Sequence, residues 1–169
     1  MNCPSCRRPM EAISLWYWCS KCLRSYNRRD GQRSRVYKWE DVYVVPCFAE
    51  EKLNLEQCRQ IVEAVYEECG FPVPAVDGGR RNQTTALGGP LKVSLPPNMR
   101  NRGIVLHECV HGLMLYTVPH EPSHGAVFMR IYLDLLEEFG GLDPEEMEEL
   151  EASALRAGIK IEAREEEVA

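Results

Sequence analysis

Long hydrophobic runs are missing from this chain. No stretch of eighteen consecutive apolar residues occurs, so no membrane-spanning helix is expected. The opening Met1-Asn2-Cys3-Pro4 leads into no apolar core of the kind a secretory signal carries, so the expectation is a cytoplasmic protein with no membrane partner. Internal repeats and low-complexity tracts are also lacking, which argues against a stacked-repeat architecture. Histidine is scarce: there are four, all between positions 107 and 124.

What is present suits one ordinary domain with a small appendage. The 169 residues are 44% hydrophobic, enough to bury a core. Net charge is −6, but it is unevenly spread. Residues 1–40 hold nine Lys and Arg against three Asp and Glu, whereas residues 41–169 hold eleven against twenty-three. A basic head on an acidic body predicts two units, drawn here as 1–36 and 37–169.

The head contains Cys3-x2-Cys6 and Cys19-x2-Cys22, separated by twelve residues. In a reducing compartment this spacing predicts a four-thiolate structural zinc site, a zinc ribbon, rather than disulfides. So short a unit cannot bury enough core alone, and metal binding would supply its folding energy. The β-prone stretch from Ala12 to Trp18 between the pairs fits a hairpin. Nine Lys and Arg residues interleave with Trp16, Tyr17, Trp18 and Tyr26, a composition that suits nucleic acid as well as simple solubility.

Residues 27–40 read as a polar linker, and Trp39 to Val45 as an extended segment closed by Pro46. A helix is predicted over 55–69. Asn54 and Gln57 form a capping box, Cys58 and Cys69 fall on the apolar stripe as small core residues, and Gly70 ends it. Short strands are expected near 84–87 and 91–95. Further helices are expected at about 99–116 (capped by Asn98), from Ser123 to Phe139, and from Asp143-Pro144 to Gly158, followed by a short strand at 159–161.

The chemistry concentrates in His107-Glu108-Cys109-Val110-His111. Residues four apart share a helix face, so both imidazoles can reach one metal ion. Glu108, beside the first, can then act as general base toward a zinc-bound water. Apolar residues surround the motif on every side, from Ile104 to Met114, as in an interior helix, where two histidines and a glutamate need partners. Gly112 costs about 1 kcal/mol relative to Ala in a helix, which predicts close packing there. Cys109 should point away from the histidines. A catalytic zinc takes a third protein ligand and leaves one position open. His120 sits in a proline-flanked loop and His124 at the predicted start of the next helix. The helix-anchored His124 is preferred, with Glu121, Glu137 or Glu138 as carboxylate alternatives. Tyr116, Arg130 and Tyr132 are candidate oxyanion stabilisers. A peptide could add to an exposed strand edge, with 91–95 as the candidate.

His107-Glu108-x-x-His111 followed by His124-Gly125-x-x-Phe128 resembles the SprT-like zinc metallopeptidases, over roughly residues 80–140. Val93 to Pro97 and the Arg100-x-Arg102-x-x-Val105-Leu106 lead-in also resemble small metallohydrolases of that broader group. The resemblance implies an α+β zincin-like domain with a small sheet and an active-site helix. It also implies zinc on His107, His111 and His124, with Glu108 catalytic. SprT-like proteins cleave proteins, some of them crosslinked to DNA. They often carry a zinc ribbon after the protease domain, whereas here the cysteine pairs come first. The expectation is thus a zinc metallopeptidase acting on a protein or peptide, with one catalytic and one structural Zn2+. The alternative is a nucleic-acid-binding or regulatory ribbon protein whose histidine site is structural. A third possibility, metal-dependent hydrolysis of something other than a peptide, shares the same site.

Overall fold

The computed structural model describes residues 11–13, 16–19, 24–27, 32–119 and 121–164. The order is three short strands, a broken helix, a long helix, two more strands and three helices. This is an α-rich α+β arrangement.

Strands β1 (Glu11–Ile13), β2 (Trp16–Cys19) and β3 (Arg24–Asn27) form an antiparallel meander. Ile13 pairs with Trp16, as a hairpin over this stretch requires. Of the thiolate site read from Cys3, Cys6, Cys19 and Cys22, only Cys19, the last residue of β2, lies among the described residues.

Residues 33–47 depart from the sequence reading. They are neither linker nor strand but one broken helix: α1 (Arg33–Trp39), a π-helical turn (Glu40–Val44) and a last short turn, α2 (Val45–Cys47). Residue 36, where the sequence reading divides the chain, falls inside it. Val36, Trp39, Val44 and Phe48 are buried. Packing of that apolar face outweighs the β-propensity of Val42 to Val45. Polar anchors add to it. Trp39 Nε1 donates to Ser153 Oγ at 2.8 Å. The Gln32 amide brackets Lys160, donating to its carbonyl at 3.1 Å and accepting its N–H at 3.0 Å. Residues 159–161, expected as a strand, are instead an irregular segment held by this clamp, with Ile159 buried.

Helix α3 (Leu55–Glu68) carries the expected Asn54–Gln57 capping box, and Gly70 ends it at φ 71°. Cys58 is buried, but Cys69 is exposed at the frayed end and is no core residue. Strands β4 (Ala75–Asp77) and β5 (Lys92–Ser94) pair in parallel. On its other side β5 meets Leu87, which exchanges both backbone hydrogen bonds with Ser94 at 2.9 and 3.0 Å. Segment 91–95 is therefore interior, not the free edge expected from sequence. The edge is 86–88.

Helix α4 (Arg102–Thr117) starts at Asn101, whose side chain accepts the Gly103 N–H, because Pro97–Met99 form a separate 3-10 turn. It packs between α3 and α5 (Ala126–Phe139) and is buried nearly all round, as its apolar sequence requires. Helix α6 (Pro144–Arg156) begins with the expected Asp143–Glu146 capping box and packs on α5. Gly112 has the anticipated reason: a Cβ there would stand 1.9 Å from Tyr66 Oη and 2.9 Å from the Gly89 carbonyl oxygen. Gly88 is as tight, since its Cβ would meet the Glu108 carbonyl oxygen at 1.9 Å. Segment 86–89 thus lies directly on the backbone of α4. Among the described residues no helix is long and apolar enough to cross a membrane.

Candidate metal centre

Three of the four histidines converge. The metal-ligating atoms of His107, His111 and His124 all lie within 4.8 Å of one another, and no other such cluster occurs among the described residues. His107 and His111 sit one turn apart on α4, so the four-residue spacing does what the sequence predicts. His124 is not on α5 but two residues before it, in a turn closed by the Gly125 N–H on the Pro122 carbonyl at 2.8 Å. His120 lies outside the described residues. Of the carboxylate alternatives, Glu121 lines the cleft without joining the cluster, Glu137 pairs with Arg164, and Glu138 lines a separate groove with Arg102.

Phe128 explains the spacing of the His-Gly-x-x-Phe motif. Its ring centre lies 5.0, 5.0 and 4.8 Å from those of His107, His111 and His124, an apolar floor under all three imidazoles. Tyr37 of α1 closes another side, 5.6 Å from the His107 ring in a stacked arrangement and 5.0 Å from that of His124.

The donor set fits a zinc ion. The Nε2 atoms of His107 and His111 are 3.1 Å apart. Two nitrogens on one tetrahedral zinc stand about 3.3 Å apart. A proton shared between the two rings would also explain that pair. It would not explain His124, whose Nε2 is buried with no hydrogen-bond partner while its Nδ1 lies 3.3 Å from Ser123 Oγ. Burial, helped by the positive charge of neighbouring groups, pushes His111 well below the ordinary imidazole pKa. Burial, with His107 and Arg33, pulls His124 down to about 3. Both rings are therefore neutral and offer lone pairs, as metal ligands must.

The chain matches no family model, no curated protein and no solved structure.

His107 differs from the other two. Burial lowers its affinity for a proton, but the close Glu40 carboxylate, together with Glu108, more than offsets this and raises it. Glu40 is a site residue that sequence reading missed. It is buried, its Oε1 lies 2.9 Å from His107 Nδ1, and the same oxygen accepts the Tyr132 hydroxyl at 2.6 Å. The imidazole N–H is off the line to that oxygen, so the first contact is a close ion-pair approach rather than an aligned hydrogen bond. The available signal was the helical spacing of Arg33, Tyr37 and Glu40, obscured by the linker and strand reading of this segment.

Glu108 lines a cleft of about 320 Å3 together with His111 and His124. Burial pushes its carboxyl pKa up, with Glu40 adding to the rise, while His107 and the Gly88 backbone N–H pull it down. A carboxylate so placed is moved toward the range useful to a general base. Cys109 is fully buried on the opposite side, its carbonyl 3.5 Å from Tyr66 Oη. The three suggested oxyanion stabilisers are all committed elsewhere: Tyr116 to the Pro90 carbonyl, Arg130 to Glu151 and the Glu162 carbonyl, Tyr132 to Glu40. The cleft instead presents Arg33 and Tyr37, and Arg33 is its sole cation among the described lining residues. The guanidinium carbon sits 5.4 Å from the centre of the Tyr37 ring.

Proposed function

We propose that the chain is a zinc-dependent metallopeptidase of the SprT-like, zincin type, with His107, His111 and His124 as zinc ligands and Glu108 as general base. The observation that carries this reading is the three-histidine cluster, two of whose members, His111 and His124, line one cleft with Glu108. A zinc ion on these imidazoles would supply Lewis acidity, polarising a carbonyl and lowering the pKa of water to roughly 7.

The chain's own groups do the rest. The Glu108 carboxylate accepts a proton from the attacking water and returns it to the leaving amine nitrogen. The Gly88 N–H keeps that carboxylate oriented. Arg33 and Tyr37 offer N–H and O–H donors to the oxygen on which negative charge develops. The outer side of the segment at Ala86 can receive an extended peptide by strand addition: both main-chain groups of Leu87 are taken by Ser94, and strand alternation turns those of Ala86 the other way. Met114, Leu115 and Val118 give the cleft an apolar wall that suits a hydrophobic side chain.

In the same reading Cys3, Cys6, Cys19 and Cys22 hold a second, structural zinc, and the protein works in the cytoplasm with the basic head as a targeting module for protein or nucleic acid. The test is hydrolysis of a quenched fluorescent peptide library by zinc-loaded protein, with Glu108→Gln as the comparison. The variant should keep two zinc ions per chain and lose activity by at least about 1,000-fold. Full activity in Glu108→Gln would remove the mechanism. A parent with two zinc ions and no hydrolysis would favour the binding-protein alternative.

A further inference from the structure

A glutamate at 6% exposure, in a helical turn whose neighbours form the core, demands an account. Taking a carboxylate out of water is costly unless donors replace the solvent. Nothing in the backbone of the broken helix needs the Glu40 side chain: at the end of α1 the cap is made by its backbone N–H alone, and an apolar or amide side chain would fill the same space. Its partners give the account. Two groups from two different helices, the Tyr132 hydroxyl of α5 and His107 Nδ1 of α4, converge on the one oxygen Oε1, at 2.6 and 2.9 Å.

The two contacts are not equivalent. Tyr132 Oη has a single proton and two acceptors in reach, Glu40 Oε1 at 2.6 Å and the Gly103 carbonyl at 3.0 Å. The shorter is in the range of a charge-assisted O–H···O⁻ bond, about 2.5–2.7 Å. Tyr132 therefore fixes the carboxylate. The carboxylate in turn faces His107 Nδ1, a buried ring nitrogen that has no aligned hydrogen-bond partner. His107 Nε2 points the other way, to within 3.1 Å of His111 Nε2. An acceptor on the Nδ1 side holds the proton there and leaves the lone pair on Nε2, the tautomer a metal ligand needs.

We infer that Glu40, backed by Tyr132, is a positioning residue for the metal centre: it sets the tautomer and orientation of His107 across the α1–α4–α5 junction and thereby sets zinc affinity. This rests on the three-histidine metal reading and is independent of what the site hydrolyses. The wide turn that begins at Glu40 is consistent with it, since π-helical turns concentrate at functional positions.

The experiment compares zinc affinity and metal-free stability in full-length parent, Glu40→Gln and Tyr132→Phe. Zinc alone is the probe, titrated against a chromophoric chelator. His124→Ala supplies the baseline that removes the histidine site and leaves the cysteine site. Glu40→Gln should weaken zinc at the histidine site by about 10- to 100-fold. Its metal-free melting temperature is read alongside, so that the loss of affinity is scored on folded protein. Tyr132→Phe should weaken zinc by a smaller factor in the same direction. A zinc affinity within about twofold of the parent in Glu40→Gln overturns the inference. So does a metal-free melting temperature that falls while affinity holds, which is the mark of a purely structural tie. If Glu40→Gln does not fold, Tyr132→Phe decides on the same affinity criterion. Failure of the peptidase reading looks different: parent protein that binds zinc at the histidine site and cleaves nothing leaves this comparison intact.

Discussion

Replacing Gly112 by Ala separates helix propensity from packing. In a helix interior the change is ordinarily favourable by about 1 kcal/mol. Here the new Cβ would stand 1.9 Å from Tyr66 Oη and 2.9 Å from the Gly89 carbonyl oxygen. An ordinary carbon–oxygen contact is about 3.3 Å. Tyr66 is fully buried between α3 and α4, so its ring cannot swing into solvent, and Gly89 is backbone lying on α4. Forced overpacking of this kind costs about 1–3 kcal/mol, sometimes more. With two obstacles the upper half of that range applies. After the propensity gain, Gly112→Ala should destabilise by about 1–2 kcal/mol. At roughly 2–4 °C per kcal/mol for a domain of this size, a 2 kcal/mol loss lowers the melting temperature by about 4–8 °C. Urea unfolding followed by circular dichroism reads it. Tyr66→Phe removes the nearer obstacle and gives up only a 3.5 Å contact to the Cys109 carbonyl. The double variant should therefore recover about 1–2 kcal/mol of the loss, a coupling that independent sites would not show. Gly112→Ala as stable as the parent, or more so, would refute the close approach of α4 to Tyr66 and Gly89.

Two further outcomes address the centre itself. His124→Ala should bring zinc per chain from two to one by elemental analysis, while His120→Ala keeps both; the reverse would reassign the third ligand. Arg33→Ala and Tyr37→Phe should each lower kcat and kcat/KM together by about 100-fold with zinc content unchanged. A change confined to KM would place these donors on the bound substrate rather than on the developing charge.

How much of this was legible in the sequence depended on whether a local pattern survived into the fold. The capping boxes at Asn54 and Asp143 did, because each is a reciprocal pair of local hydrogen bonds that depends on nothing distant. So did the His107–His111 face and the all-round apolar character of α4. The start of α4 slipped from Asn98 to Asn101 because the two prolines at 96 and 97 favour a separate turn, and either asparagine reads equally well as a cap. The choice of edge strand failed for another reason. Leu91 to Leu95 alternates as a half-buried strand should, but alternation says which face is buried, not which neighbours are bonded. Only the Leu87–Ser94 exchange shows that β5 has partners on both sides.

The misread segment, 33–47, is where local pattern and site chemistry conflict. Its core-facing residues are 36, 39, 44 and 48, steps of three, five and four. The step of five spans the π turn, and it breaks the 3.6-residue period on which helix recognition depends. Its other inward face is Arg33, Tyr37 and Glu40, at the i, i+4, i+7 spacing of one helical stripe. That stripe is polar, because it meets three imidazoles and a cleft instead of a leucine core. A cation, a phenol and a carboxylate in such a stripe read as solvated surface when the site they face is unknown. The same polarity that makes α1 look like a linker is therefore what lets it serve as the third wall of the metal centre, beside α4 and the turn before α5. Local sequence rules fail most readily where residues are chosen for a site rather than for a fold. Here the failure coincides with the histidine cluster, where, among the described residues, buried polar groups from three elements meet.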